Sequence, residues 1–315
     1  MSTTVLVTDN DSGPATIERG VLEPAGHRVV EAACRTEADV VAAVTEHRPA
    51  GLLVQYAPMT REVLRTCADL GVRALFRYGV GMDNVDEAAA WEAGVVARNV
   101  PDYGSAEVAD HAVTLLLSLL RAVPTWSAAT AGGNWPARGE LRDPAELRVT
   151  TVGLVGFGAI AREVARRLLP FGCTVVVADP FVAAQDAAAH GVELVDLPDL
   201  FARADALSVH APLTEQTRGV VGADAFARMR PGTLLVNTAR AGLVDRGALE
   251  AALADGTIAG AALDVWWTEP AAPDDPLLRD PRVVVTPHVA WLSPGSAHRL
   301  RRLAAERLLE VLTQA

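Results

Sequence analysis

Short apolar runs alternate with amphipathic stretches along almost the whole chain. Val5-Leu6-Val7, residues 27–30, Leu52-Leu53-Val54 and Ala74-Leu75-Phe76 read as buried strands, with helical periodicity between them, as over 37–45. This first series closes near 95–99. A long apolar helix is predicted over 106–121, with Ser105 placed to cap it. Its apolar surface is broad enough to suggest a position between domains or subunits. Residues 130–147, rich in Gly, Pro and charge, read as a loop. A second strand-helix series follows, with strands at 151–155, 174–178, 206–209, 234–236, 260–263 and 283–285, and a closing helix over 297–313. Strands alternating with helices argue for parallel sheets covered on both faces.

The 315-residue length fits two domains, and half of the residues are hydrophobic, enough for sizeable cores. No apolar run reaches the ~18 residues of a membrane span, and no secretory pattern opens the chain, so the cytoplasm is the expected location. The net charge of -11 argues against nucleic acid or anionic membrane as a partner. There is no lysine; all 28 basic residues are arginine, which excludes Schiff-base and Walker-type lysine chemistry. Cys34, Cys67 and Cys173 are scattered, which suits free thiols in a reducing compartment and neither a disulfide frame nor a metal site.

The most informative local stretch is Val152-Gly153-Leu154-Val155-Gly156-Phe157-Gly158-Ala159-Ile160-Ala161, a strand turning into a helix. Gly156 permits the tight turn, Gly158 lets the backbone approach a pyrophosphate, and Ala161 stands where helix meets strand. Asp179 closes the next strand, 21 residues past Gly158. A carboxylate there bonds ribose hydroxyls and repels an extra phosphate, so the expected cofactor is NAD and not NADP.

Three further strand ends carry polar residues: Arg240 in Asn237-Thr238-Ala239-Arg240, Glu269 in the stretch opened by Asp264-Val265-Trp266-Trp267, and His288 in Thr286-Pro287-His288. Reducing a 2-oxo acid requires a grip on the carboxylate, a polarised ketone and a delivered proton. A guanidinium suits the first two and an imidazole the third, with Glu269 placed to favour the imidazolium.

Taken together, these segments resemble the D-isomer-specific 2-hydroxyacid dehydrogenase family. The resemblance extends through Arg77-Tyr78-Gly79-Val80-Gly81-Met82-Asp83-Asn84-Val85-Asp86 and His210-Ala211-Pro212-Leu213-Thr214. It implies two Rossmann-like doubly wound α/β domains: a flavodoxin-like substrate domain of residues 1–98 and 292–315, and an NAD-binding domain of residues 99–291. It places the catalytic roles on Arg240, Glu269 and His288. Substrate binding falls on Tyr78, Gly79, Val80 and Trp291, together with Arg240 and His288, with backbone amides near Tyr78 to Val80 holding the carboxylate. Cofactor contacts fall on Val108, Ala159, Ile160, His210, Ala211, Pro212, Thr238 and Asp264, beside Gly156, Gly158 and Asp179; Asp264 would bond the nicotinamide amide. A homodimer through the nucleotide domain is implied, with a small 2-hydroxy or 2-oxo acid as substrate: phosphoglycerate, glycerate, hydroxypyruvate, glyoxylate or a similar compound.

The chain departs from common members at Trp266, Trp267, Asp110 and Trp291. The run His288-Val289-Ala290-Trp291 is similar to the branch holding the C-terminal-binding-protein corepressors. An NAD-sensing scaffold is therefore the alternative to a plain enzyme, and an unusual acid such as a phosphonate analogue is a third possibility. Because the chain reads as ending on one closing helix, no C-terminal regulatory domain is expected.

Overall fold

The structure is a computed structural model that describes residues 3–11 and 13–314. They form two compact units, one running to Gly104 and resuming at Ser293, the other spanning Ser105–Leu292.

In the first unit, β1 (Thr4–Val7), α1 (Thr16–Leu22), β2 (Arg28–Glu31), α2 (Glu37–His47), β3 (Gly51–Val54), α3 (Arg61–Asp69), β4 (Ala74–Arg77), α4 (Glu87–Glu92) and β5 (Val96–Arg98) alternate. The strands form one parallel sheet in the order β2-β1-β3-β4-β5. Strands buried on both faces need unbroken apolar runs, and β3 is buried at every position. The order reverses beside β1, so the loops after β1 and β3 diverge there at the carboxyl ends of the strands, where open α/β sheets bind ligands. Helix starts follow local chemistry. Thr36 and Asp39 form a reciprocal capping box on α2, and the Asp86 carboxylate accepts the Ala89 amide at the start of α4.

The second unit opens with α5 (Ser105–Leu120) and α6 (Val123–Ala131). It continues through β6 (Thr151–Val155), α7 (Ala159–Leu168), β7 (Thr174–Ala178), α8 (Ala184–Ala189), β8 (Glu193–Leu194), α9 (Leu197–Arg203) and β9 (Ala206–Val209). It ends with α10 (Ala223–Phe226), β10 (Thr233–Asn237), α11 (Arg246–Asp255), β11 (Ile258–Leu263), α12 (Pro276–Arg279) and β12 (Val283–Val285). Its seven parallel strands are ordered β12-β11-β10-β9-β6-β7-β8, with the reversal between β9 and β6. The chain then returns to the first unit as α13 (Pro294–Gln314), which packs on α1, β3 and β4.

Several expectations change. The first unit runs to Gly104 and not 98, because Val100 donates its amide to Gly79, Asn99 donates its side-chain amide to the Val80 carbonyl, and Arg299 of α13 donates to the Tyr103 carbonyl. Ser105 is the first residue of α5 and not its cap. The apolar surface of α5 is consumed inside its own unit: Ala109, Ala112, Leu116 and Leu120 are buried, and the helix packs on α7, β9, β10 and β11. Helix α6, which replaces the start of the expected loop, buries none of its residues. The two-residue edge strand β8 was too short to carry a sequence signal.

No single helix among the described residues is long and apolar enough to cross a membrane. Burial pushes the Cys34 thiol up to about 11 and Cys67 up to about 12, so both stay protonated and unreactive at neutral pH. No group of metal-ligating residues occurs among the described residues.

Leu116 is fully buried where α5 lies on the second sheet. Leu116→Ala should cost ~2–5 kcal/mol of stability. In urea unfolding this appears as a lower midpoint with an unchanged slope; an unmoved midpoint would remove α5 from the core.

Candidate nucleotide-binding and catalytic site

The turn after β6 is built by backbone geometry. Gly156 has φ +89°, and a Cβ there would come within 2.9 Å of the Ala211 nitrogen, a backbone atom that cannot yield. Gly158 differs: a Cβ there would meet nothing within 4 Å, so no packing demands glycine, and the space over the start of α7 stays open. Ala159 and Ile160 begin that helix, where first-turn amides have no acceptor within the helix itself, and Ala161 is fully buried where α7 meets the sheet.

Asp179, at the end of β7, braces this turn. One carboxylate oxygen accepts the Phe157 amide and the other the Phe181 amide, each at 2.8 Å. Each oxygen retains a further lone pair, which suits ribose hydroxyls. Thr238, just past β10, buries its hydroxyl with no hydrogen-bond partner among the described residues. A buried polar atom without a partner is costly, and a bound cofactor would satisfy it. His210, just past β9, bonds the Ser208 hydroxyl through Nε2 at 2.9 Å, and burial pushes its pKa down to about 4, so it is neutral. Pro212 follows Ala211 in the same loop, and Val108 lies half-buried on α5. The open helix start, the acceptor carboxylate and the orphaned hydroxyl together fit a dinucleotide.

Three adjacent strands deliver the other side chains. Arg240 follows β10, in a turn that Asn237 fixes by accepting the Ala239 amide and donating to the Arg240 carbonyl. Glu269 follows β11; one oxygen accepts the Trp266 amide at 2.9 Å and the other bonds His288 Nδ1 at 2.8 Å. His288 follows β12. Partial burial works against the Glu269 charge, yet the His288 hydrogen bond, the Trp266 amide and the nearby His288 and Arg240 charges hold its pKa below the usual carboxylate range. With Nδ1 engaged, Nε2 is the ring nitrogen left to exchange a proton.

His288 sits in the left-handed region at φ +56°, which costs a residue other than glycine roughly 1–2 kcal/mol. Asp264 holds it there. The Asp264 carbonyl accepts the His288 amide, and its carboxylate accepts the amides of Val289 and Ala290 and the Thr286 hydroxyl. Those three bonds take most of the acceptor capacity expected for a nicotinamide amide, leaving one lone-pair direction on Oδ2. Because the Thr286 hydroxyl donates to Asp264, it accepts from His111 Nε2 at 3.0 Å, which fixes the His111 tautomer. Sequence reasoning missed His111 and Thr286 in this role. A histidine on an otherwise apolar helix was the available signal.

In the first unit, the amides of Gly79 and Val80 form no hydrogen bond among the described residues, while their carbonyls accept from Val100 and Asn99. Tyr78 departs from expectation. Its amide donates to Val54 and its hydroxyl to buried Glu18, so neither is left to hold a carboxylate. A missed residue supports the neighbouring loop: the buried Asp9 carboxylate accepts the amides of Gln55, Tyr56 and Ala57. Trp291 is half-buried, one residue before the second unit ends.

Asp179→Ala should relax discrimination against NADPH by about tenfold or more, the equivalent of ~1.4 kcal/mol. The check is the ratio of kcat/KM for NADH and NADPH. An unmoved ratio would give that selection to other residues.

Residues 113–290 match the sequence profile of the D-isomer specific 2-hydroxyacid dehydrogenase, NAD binding domain. The D-3-phosphoglycerate dehydrogenase of Archaeoglobus fulgidus is 39% identical over 250 residues, 79% of this chain and 47% of its own length. The (S)-sulfolactate dehydrogenase of Chromohalobacter salexigens is 38% identical over 253 residues, 80% of this chain and 81% of its own. The chain spans about half the length of the phosphoglycerate dehydrogenases it matches. The TT0316 protein of Thermus thermophilus superposes with a TM-score of 0.87 at 33% identity, covering 99% of this chain and 97% of that one. With two parallel-sheet units, a glycine turn braced by Asp179 and a profile match across most of the second unit, the chain belongs to the D-isomer specific 2-hydroxyacid dehydrogenase family and carries that family's NAD-binding domain.

Proposed function

We propose that this chain interconverts a small 2-oxo acid and its D-2-hydroxy acid with NAD(H). The observation that carries the reading is the placement of Arg240, Glu269 and His288 at the ends of three adjacent strands, with His288 Nδ1 held on Glu269. A bound nicotinamide would supply or accept the hydride. Gly79 and Val80 hold the substrate carboxylate through their unpaired amides. Arg240 polarises the oxygen on C2, a task for which a guanidinium offers forked donors. His288 Nε2 gives its proton to that oxygen as the alkoxide develops, and takes it back in the opposite direction. Glu269 orients the ring and stabilises the imidazolium.

The favoured substrate is an acid with a second anionic group on the third carbon. The names of the relatives, phosphoglycerate and sulfolactate dehydrogenases, share that feature. The Arg77 guanidinium supports it, lying so close to Gly79 that a Cβ there would strike its Nη1. The chain works as a homodimer through its second unit. Support comes from α6, which buries none of its residues, and from Trp135 and Val149, which stand 87% and 75% exposed after it.

Two experiments test the reading. His288→Ala should lower kcat by ~10²–10⁴-fold while NADH still binds, followed by its fluorescence. If the wild-type chain binds NADH but reduces no 2-oxo acid in a panel including 3-phospho and 3-sulfo acids, an NAD-sensing scaffold replaces the enzyme.

The second test is pH dependence. The Glu269 pKa is lowered in the folded chain, so its partnership with His288 is complete above the ordinary carboxylate value of ~4.3 and is lost as pH falls through the lowered value. The acid limb of kcat that reports Glu269 should therefore lie below about pH 4.3. Glu269→Gln should abolish that limb and cost at least about tenfold at neutral pH. An unchanged profile would detach Glu269 from His288 chemistry.

A further inference from the structure

The first unit buries a charged cluster that the proposed chemistry does not use. Glu18 on α1 is fully buried, and Arg301 on α13 and Tyr78 just past β4 are nearly so. Arg301 grips Glu18 in a forked pair, Nε to Oε1 at 2.8 Å and Nη2 to Oε2 at 2.6 Å, and its Nη2 also donates to the Pro14 carbonyl. The Tyr78 hydroxyl donates to the same Glu18 Oε1 at 2.7 Å. Burial, reinforced by the Glu18 charge, pushes the phenol well above its usual pKa, so it remains a donor at any working pH.

Such a cluster is a poor way to glue α13 to α1. Desolvating two charges offsets most of their attraction, and apolar residues of the same volume commonly do as well. What apolar residues do not supply is a fixed direction. A forked guanidinium-carboxylate pair locks the plane of Glu18, and Glu18 Oε1 then fixes where the Tyr78 hydroxyl sits. Tyr78 is covalently next to Gly79, whose unpaired amide begins the two-amide cradle. Among the described residues the cradle is also held by backbone and side-chain bonds to its carbonyls from Val100 and Asn99, and by the Tyr78 amide on Val54.

We propose that Glu18, Arg301 and Tyr78 act as positioning residues that aim the Gly79 and Val80 amides, and thereby set affinity for the acid's carboxylate without touching it. This rests on the dehydrogenase reading above. A substrate-binding loop is thus tuned from α13, a helix about 220 residues further along the chain.

The test is Tyr78→Phe, which removes one oxygen and leaves the Glu18–Arg301 pair intact. KM for the 2-oxo acid should rise about tenfold, and the dissociation constant of oxalate, measured by calorimetry with NADH present, should rise alike. At saturating acid kcat should stay within about twofold and NADH affinity should be unchanged, while the thermal midpoint falls by a few degrees for the lost buried hydrogen bond. If Tyr78→Phe does not fold, Glu18→Gln carries the test, because glutamine still accepts from the phenol but weakens the lock; a smaller KM rise with unchanged kcat is expected. Unchanged KM and oxalate affinity in a folded variant would overturn the proposal. So would kcat, NADH affinity and thermal midpoint falling together, since the cluster would then serve only the fold. A wild-type chain that neither turns over 2-oxo acids nor binds oxalate would remove this proposal together with the reading beneath it. Turnover by the wild type with an unresponsive Tyr78→Phe removes this proposal alone.

Discussion

The carboxylate of Asp264 governs the second unit's chemistry because it holds a histidine where a histidine does not want to be. His288 occupies a left-handed backbone conformation, and no residue at that position can supply the stabilisation itself. Asp264 supplies it from the neighbouring strand end, through its carbonyl to His288 and its side chain to the next two amides and to Thr286. Those bonds make the loop an anion-centred turn, and the imidazole is aimed by it. The Glu269 contact then selects which ring nitrogen faces the reaction. If the Asp264 carboxyl group were removed, three donors would lose their acceptor at once.

A similar device recurs in the other unit. Asp9 accepts three consecutive amides after β3, as Asp264 accepts two after β12. Asp179 accepts one amide inside the nucleotide turn, from Phe157, and one just past its own strand, from Phe181. In each case an aspartate at a strand end shapes a loop by accepting backbone N–H groups. The short side chain suits this work: it has few rotamers to freeze and reaches only the nearest loop. Stability and site geometry are therefore the same bonds in these places.

Much of this was legible in the sequence, and the limits have physical causes. The strands of both sheets were visible because doubly covered parallel strands are buried along their length and mostly apolar, as β3 is. The glycine turn, Asp179 and the residues Arg240, Glu269 and His288 were visible because each follows a strand closely. Helix α6 escaped because none of its residues is buried, so no hydrophobic period marks it. The role of α5 was misread because apolarity says that a helix is covered, not by what. The Tyr78 cluster escaped for a different reason: Glu18 and Arg301 are 283 positions apart, and nothing local marks either as buried. The unit boundary moved from 98 to 104 because residues 99–103 are tied by single hydrogen bonds, which leave no periodic trace.

The division of labour between backbone and side chains bears on how substrates are selected. A carboxylate held by two amides is recognised by groups that every residue carries, so nearly any residue change that preserves the loop path preserves that recognition. On the proposed reading, selection among 2-oxo acids comes from side chains around the loop, and the Arg77 guanidinium stands beside it. The chemical step is the reverse case. On the proposed mechanism it uses one guanidinium, one imidazole and one carboxylate, each needed for its charge, proton or orientation. Under that mechanism, substrate choice would change through residues about the first unit's loops, and the reaction would be lost through any of three residues in the second.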